Sequence, residues 1–225
     1  MEKRDDIQPV ILGGDIGAYS IARAFYDAYG VKSIVISRNP TGLVSHSVAI
    51  DNRVIPDSED PEVLVAALQE IAKENPGKKL IGLGSADWLV RLLVDNRDRI
   101  EPEYILPYAS AEQMDLVTDK VSFAELAKER GVDHPETLII DFADFEEPDY
   151  DSLKYPLILK PASTVAYHQV EFEGQKKVFL IQDEADLRET LKKIADSGFS
   201  DRFLLQEMIP GDDSAMRILT CYSDK

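Results

Sequence analysis

A lysine at the end of an apolar run is the first feature of this sequence that asks for chemistry. In Tyr155-Pro156-Leu157-Ile158-Leu159-Lys160-Pro161 the residues from Pro156 to Leu159 are almost wholly apolar. That run predicts a strand covered on both faces, which would deliver Lys160 to a fixed point. A lysine brought into apolar surroundings bears a desolvation penalty, so it shifts its pKa or finds an anion. Phosphate is the natural anion. Beyond Pro161, residues Ala162 to Gln169 form a loop of small and hydroxylated residues, and Lys177-Val178-Phe179-Leu180-Ile181 predicts a returning strand. The whole would be a hairpin able to fold over a polyphosphate, with Ser163, Thr164 and backbone N–H groups as donors. The plainer alternative is a surface hairpin whose lysine reaches into water. The residues of the hairpin leave both open.

Small residues also stand at strand ends near the beginning of the chain. Pro9-Val10-Ile11-Leu12-Gly13-Gly14 reads as an apolar strand closing on two glycines, and Ile21, Ala24, Phe25 and Ala28 follow at helical spacing. Ser33-Ile34-Val35-Ile36 predicts the next strand, so the opening is a βαβ unit with a right-handed crossover. The Gly13-Gly14-Asp15-Ile16-Gly17 turn lies where a dinucleotide fold would hold pyrophosphate. Its spacing is not GxGxxG, however, and Arg38 and Asn39 follow the second strand where an acidic residue would be expected. A substrate-facing or architectural turn is the better reading, with a nicotinamide dehydrogenase as the competitor.

Asp60-Pro61 predicts the cap and first position of a helix whose inward face is Leu64, Ala67, Leu68 and Ile71. Leu80-Ile81-Gly82-Leu83-Gly84 predicts another strand. Ser85-Ala86-Asp87 then caps a helix carrying Leu89, Leu92 and Leu93. Ligands of such α/β sheets gather at the carboxyl ends of strands, which would put Gly13-Gly14 and Gly84-Ser85 on one rim. Asp87 reads as a helix cap that could also meet a substrate amine.

The 225 residues carry 25 Lys and Arg against 42 Asp and Glu, a formal net charge of -17, with 44% hydrophobic and 30% charged residues. Such a body has material for a core, and it repels nucleic acid and anionic lipid. Neither a membrane span nor a secretory h-region is legible, so the sequence predicts a cytoplasmic protein without nucleic-acid or membrane partners. Cys221 alone permits no internal disulfide and reads as a small residue of a strand. His46, His134 and His168 are too scattered for a metal site or a triad. Asp183 to Asp186 opens a helix whose Leu187, Leu191, Ile194 and Ala195 face inward, expected to pack on the sheet that holds Lys160.

Three stretches taken together are more specific than any one. Asp119-Lys120 opens a helix and is followed by Val132-Asp133-His134-Pro135-Glu136-Thr137. Then come the Lys160 hairpin and Phe203-Leu204-Leu205-Gln206-Glu207-Met208-Ile209-Pro210-Gly211-Asp212-Asp213. In this order and at this spacing they resemble the ATP-grasp ligases across most of residues 85 to 217. The first domain is most similar to the D-aspartate ligase branch of carboxylate-amine ligases. The resemblance implies that Lys120 and Lys160 contact nucleotide phosphates and that Ala162 to Gln169 is the mobile flap, with Ser163 and Thr164 reaching phosphate. It also implies that Gln206, Glu207, Met208 and Ile209 form a hinge whose backbone groups read adenine, and that Asp213 accepts from the ribose hydroxyls. The cofactors implied are ATP and Mg2+. No catalytic residue is assigned.

The fold expected is α/β. A Rossmann-like pre-ATP-grasp domain would span 1–108, the first α+β subdomain of an ATP-grasp fold 109–206, and a hinge with the start of a further subdomain 207–225. The family's magnesium carboxylates and acyl-phosphate arginine would lie past Lys225, so the chain reads as an N-terminal portion, inactive by itself. The reaction implied joins a small-molecule carboxylate to an amine through an acyl phosphate. The alternative is a non-catalytic nucleotide- or metabolite-binding module. Self-association into a homo-oligomer is left open.

Overall fold

A computed structural model of the chain describes residues 3–146, 149–167 and 169–219; Cys221 and His168 lie outside the described residues. The chain divides into two compact units, Met1–Met114 and Asp115–Lys225. Each has its own sheet and its own core.

The first unit alternates strand and helix. In order it contains β1 (Ile7–Leu12), α1 (Ile16–Tyr29), β2 (Ser33–Ser37), α2 (Gly42–Ser45), β3 (Ile50–Val54), α3 (Pro61–Glu74), β4 (Lys79–Gly84), α4 (Asp87–Asp95), α5 (Arg97–Ile100) and β5 (Tyr104–Ile105). All strand pairings are parallel, in the order β3-β2-β1-β4-β5. Every residue of β1 and of β2 is buried, the mark of strands covered on both faces. On one face Leu64, Leu68 and Ile71 of α3 and Leu89 and Leu93 of α4 close a core with Val10, Leu12, Ile34 and Ile36.

The other face departs from the expected pattern. α1 buries Ala18 and Ala22 instead of the Ile21, Ala24, Phe25 and Ala28 stripe, and Ala24 and Ala28 are exposed. Two methyl-sized side chains let the helix lie close on Ile11 and Val35, and the larger Tyr19, Ile21 and Tyr26 pack at its margins. Size decided the phase here, where hydropathy alone misplaced it.

α6 (Ala111–Thr118) carries the chain from the first unit to the second. The second unit contains α7 (Lys120–Glu129), β6 (Thr137–Asp141), β7 (Leu157–Pro161), α8 (Thr164–Tyr167), β8 (Phe179–Ile181), α9 (Glu184–Asp196), β9 (Arg202–Glu207) and a 3-10 turn at Asp213–Ala215. Its four strands are antiparallel in the order β6-β9-β7-β8. β7 is not covered on both faces as the apolar run suggested. Leu157 and Leu159 are fully buried, whereas Ile158 and Lys160 are half-buried on the opposite face. The reason is that α9 covers one face of an antiparallel sheet: Leu187, Leu191 and Ile194 share a core with Leu157, Leu159, Phe203 and Leu205. The other face is left for the site.

Candidate functional site

Strand register brings the candidate residues together on the open face. Lys160 stands opposite Leu204 and Ile158 opposite Gln206 across the β7–β9 ladder, and Gln206 stands opposite Thr137 on β6. Leu204, 1% exposed, makes an apolar floor beside the Lys160 side chain. α7 enters from the side. Its cap is Asp119, whose Oδ1 accepts from the Ser122 N–H at 2.8 Å and from Ser122 Oγ at 2.9 Å. Those bonds, the Ser122 amide foremost, hold the Asp119 carboxyl below its ordinary value. Lys120 is therefore the first residue of the helix, and Phe123, three residues on, lies on the same helix face. Together with Val117, Thr118, Ala124, His134 and Pro135 these residues enclose a cavity of about 220 Å³ containing Lys120, Lys160, Leu204 and Gln206.

The electrostatics of this cavity are those of cations short of an anion. Burial pushes the Lys160 ammonium below its usual pKa. The same holds for Lys120: burial comes first, then repulsion by Lys160 and Lys177, with Asp119 acting against both. Neither lysine has a carboxylate within ion-pairing distance among the described residues. Lys120 Nζ instead donates to the carbonyls of Pro161 at 2.8 Å and Ala162 at 3.2 Å. A polyanion entering here would relieve both desolvation and mutual repulsion.

The other expected residues are placed less uniformly. Ala162 to Gln169 is not an open loop. Its middle is the helical turn α8, Ser163 Oγ accepts from the Ala166 N–H at 3.2 Å, and Tyr167 is buried at 2% exposure among Phe172, Phe199 and Phe203. Thr164 is the first residue of that turn. Gln206 reaches the cavity, but its Nε2 donates to Thr137 Oγ1 at 2.7 Å, so the side chain ties β9 to β6. Glu207 Oε1 accepts from the Lys154 N–H at 3.1 Å. The Glu207 and Met208 amides donate to the carbonyls of Glu136 and Pro156, leaving the hinge fewer backbone donors for an adenine edge than expected. Ile209 is 70% exposed, and Asp213 opens the 3-10 turn. Ser163, Glu207, Met208 and Ile209 lie outside the lining of the lysine cavity.

The first unit holds a second concavity of about 280 Å³ at the carboxyl ends of β1, β2 and β4, lined by Gly13, Gly14, Asp15, Arg38, Asn39, Ser85 and Trp88, among others. The strand order reverses between β1 and β4, the place where parallel sheets open a crevice. Gly13 has φ of 133° and packs on Ser85, whose hydroxyl a Cβ at position 13 would strike. Asp15 caps α1 by accepting from the Ala18 N–H at 2.9 Å. That contact is the main reason its carboxyl sits below the ordinary value. Arg38 is paired with Glu59 at 3.2 Å, so that cation is already matched. Asp87 corrects the expectation of a cap: the cap position is Ala86, which makes no side-chain bond, and Asp87 is an exposed first-turn residue outside the lining. Trp88, 53% exposed, was missed by the sequence reading. Nothing in its local pattern separates it from the buried leucines that follow.

Comparison with known proteins adds to this geometry. No family model matches the chain. The chain is 28% identical over 229 residues to a D-aspartate ligase from Enterococcus faecium, covering 99% of the chain and 54% of that protein. Among solved structures it is similar to an N5-carboxyaminoimidazole ribonucleotide synthetase in complex with ADP, with a TM-score of 0.60 and 15% identity over 93% of the chain and 48% of the other. An L-amino acid ligase from Bacillus licheniformis gives 0.56 at 15% identity, over 94% of the chain and 46% of that protein. The D-alanine–D-alanine ligase of Bacillus anthracis gives 0.51 at 14% identity, over 91% and 57%.

The fold is that of the ATP-grasp ligases. The chain spans about half the length of the relatives it matches. In ATP-grasp terms, the parallel sheet of the first unit and the antiparallel sheet bearing Lys160 are both present. No helix among the described residues is long and apolar enough to cross a membrane.

Proposed function

We propose that this chain supplies the phosphate-gripping half of an ATP-dependent carboxylate-amine ligase of the D-aspartate ligase kind. The observation that carries the reading is the pair of desolvated lysines, Lys120 and Lys160, set in one cavity on the open face of the second sheet without a carboxylate partner among the described residues. Support comes from the ligase relatives and from the neighbour crystallised with ADP.

Bound ATP supplies a γ-phosphoryl group that a substrate carboxylate oxygen attacks, with ADP leaving. The substrate amine then attacks the acyl carbon of the resulting acyl phosphate, phosphate leaves, and the amine's proton passes to solvent or a base. In this reading Lys160 and Lys120 neutralise phosphate oxygens and orient the triphosphate. Gln206 to Ile209, at and just past the end of β9, lie against adenine, and Asp213 accepts from ribose. Ser163 and Thr164 sit at the flap that excludes water. The Gly13–Ser85 crevice of the first unit receives one of the small-molecule substrates. Among the described residues no three His, Cys, Asp or Glu stand together as magnesium ligands, so no step is assigned to a metal here.

The test is magnesium-dependent ADP release by the full-length gene product across a panel of amino acids, aspartate included. Replacing Lys160 by alanine should lower kcat/KM for ATP about 10- to 100-fold, the worth of one charge-assisted contact. ADP release unaffected by Lys160→Ala would overturn the reading. ATP binding without ADP release across the panel would favour a non-catalytic module instead.

A further inference from the structure

The contact that sets this site apart is the one Lys120 makes to the backbone. Its ammonium reaches across 41 residues of sequence to the carbonyl of Pro161, the last residue of β7, and across 42 to that of Ala162. These are the two residues from which the 163–167 segment springs. The Ala162 N–H is itself fixed by the Arg202 carbonyl at 2.9 Å, so one peptide unit is held on its N–H side by the sheet and on its C=O side by the lysine. At its far end the segment is fixed independently, by Tyr167 in the aromatic core and by its hydroxyl donating to the Lys176 carbonyl at 3.0 Å. Between the two anchors Ser163 contacts hold the turn: its Oγ accepts from the Ala166 N–H and its carbonyl from the Tyr167 N–H. An ammonium has three donors. Two are spent on the carbonyls, and one remains for the cavity that Lys120 lines.

We infer that Lys120 is a positioning residue for the flap, tethering its root through the carbonyls of Pro161 and Ala162 and presenting its remaining N–H to the phosphate. The two tasks share one side chain without competing, so phosphate arrival leaves the tether in place and adds an anion to it. Charge-assisted hydrogen bonds of an ammonium to carbonyl oxygens are stronger than neutral ones, which is why one lysine can hold a segment start. Lys160, also lining the cavity, makes no such carbonyl contact among the described residues and has no tethering role. The tether rests on these contacts alone, whereas its use in binding rests on the proposed ATP site.

Amide hydrogen exchange of the 225-residue chain separates the two. Without nucleotide, Lys120→Met should speed exchange of the amides from Ala162 to Tyr167 by about tenfold or more, the loss expected when a bond of this class is removed. The amides of the β7–β9 ladder should keep the parent's rates, which shows that the sheet is intact. Lys160→Met should leave the 162–167 amides at the parent's rate, and Lys120→Arg, which keeps donors, should restore most of the protection. Equal exchange in Lys120→Met and the parent, or equal acceleration by Lys160→Met, would overturn the inference. Adding ATP with magnesium tests the shared donor: protection at 162–167 should be kept or increased in the parent and not gained in Lys120→Met. Loss of protection in the parent on adding ATP would show exchange of partners and overturn the shared-donor part. If ATP changes nothing anywhere in the cavity, the nucleotide reading fails while the tether stands on the nucleotide-free comparison.

Discussion

Lys160 and Lys120 look alike in sequence, as lysines beside apolar runs, and they predict opposite responses to removal. Lys160 is desolvated and makes no compensating bond among the described residues, so burial holds its folded pKa below the free value of 10.5. Such a group costs stability wherever it is charged. The cost is fully present below the folded pKa, and stability rises with pH from there up to the free value, where the cost is gone. Lys160→Met should therefore raise the melting temperature at pH 7.5 by a few degrees at most, because solvent reaching the half-buried ammonium screens part of the cost. The gain should shrink toward pH 10.5. Thermal unfolding of both proteins at the two pH values checks this, and a lower melting temperature for Lys160→Met at pH 7.5 would show that the lysine is stabilising. Lys120→Met should move the other way, because it removes two carbonyl contacts along with the charge. Lys160 was legible because a cation after four apolar residues is a local contradiction. The tether was not, since no local pattern joins a helix start to a strand end 41 residues away.

At the scale of elements, legibility followed how local the cause was. The parallel sheet, the helices starting at Asp60-Pro61 and Asp183, and the placement of α9 under the Lys160 strand could all be argued from caps, glycines and period. The phase of α1 and the one-sided burial of β7 could not. Both depend on what lies across the interface, a close-set alanine face in one case and an antiparallel partner in the other. The same limit hid Tyr167, read as part of a loop of small residues although it is the segment's anchor. Its ring meets Phe203 edge-on at 5.3 Å and Phe199 at 5.8 Å. Truncating Tyr167 to alanine should cost about 3–5 kcal/mol, as for other buried aromatics. Tyr167→Phe, which keeps the ring and loses the hydroxyl with its bond to the Lys176 carbonyl, should cost about 1 kcal/mol. Urea unfolding followed by far-UV circular dichroism reads both. Equal losses for the two variants would mean that the hydroxyl, not the ring, holds the turn.

The whole molecule sets these cations in a hostile field. A net charge of -17 repels ATP at distances where the individual lysines are not resolved, while Lys120, Lys160 and Lys177 attract it at contact. The two contributions differ in range, so salt separates them. At about 0.1 M ionic strength the Debye length is about 10 Å, which screens the long-range repulsion strongly, whereas contacts inside a half-buried cavity are screened much less. A surface patch of lysines would behave differently and lose affinity steadily as salt rises. Titration of the chain with ATP at fixed magnesium, at low ionic strength and again with added NaCl to about 0.2 M, should therefore give a Kd at the higher salt no weaker than at the lower. A Kd that weakens about tenfold or more over that range would place the ATP on exposed cations instead of in the Lys120–Lys160 cavity, because only exposed pairs give up that much to screening. The same measurement on Lys160→Ala identifies the source of any residual binding. If that binding is weak and salt-sensitive, it comes from the exposed lysines, and the cavity supplied the part that salt left untouched.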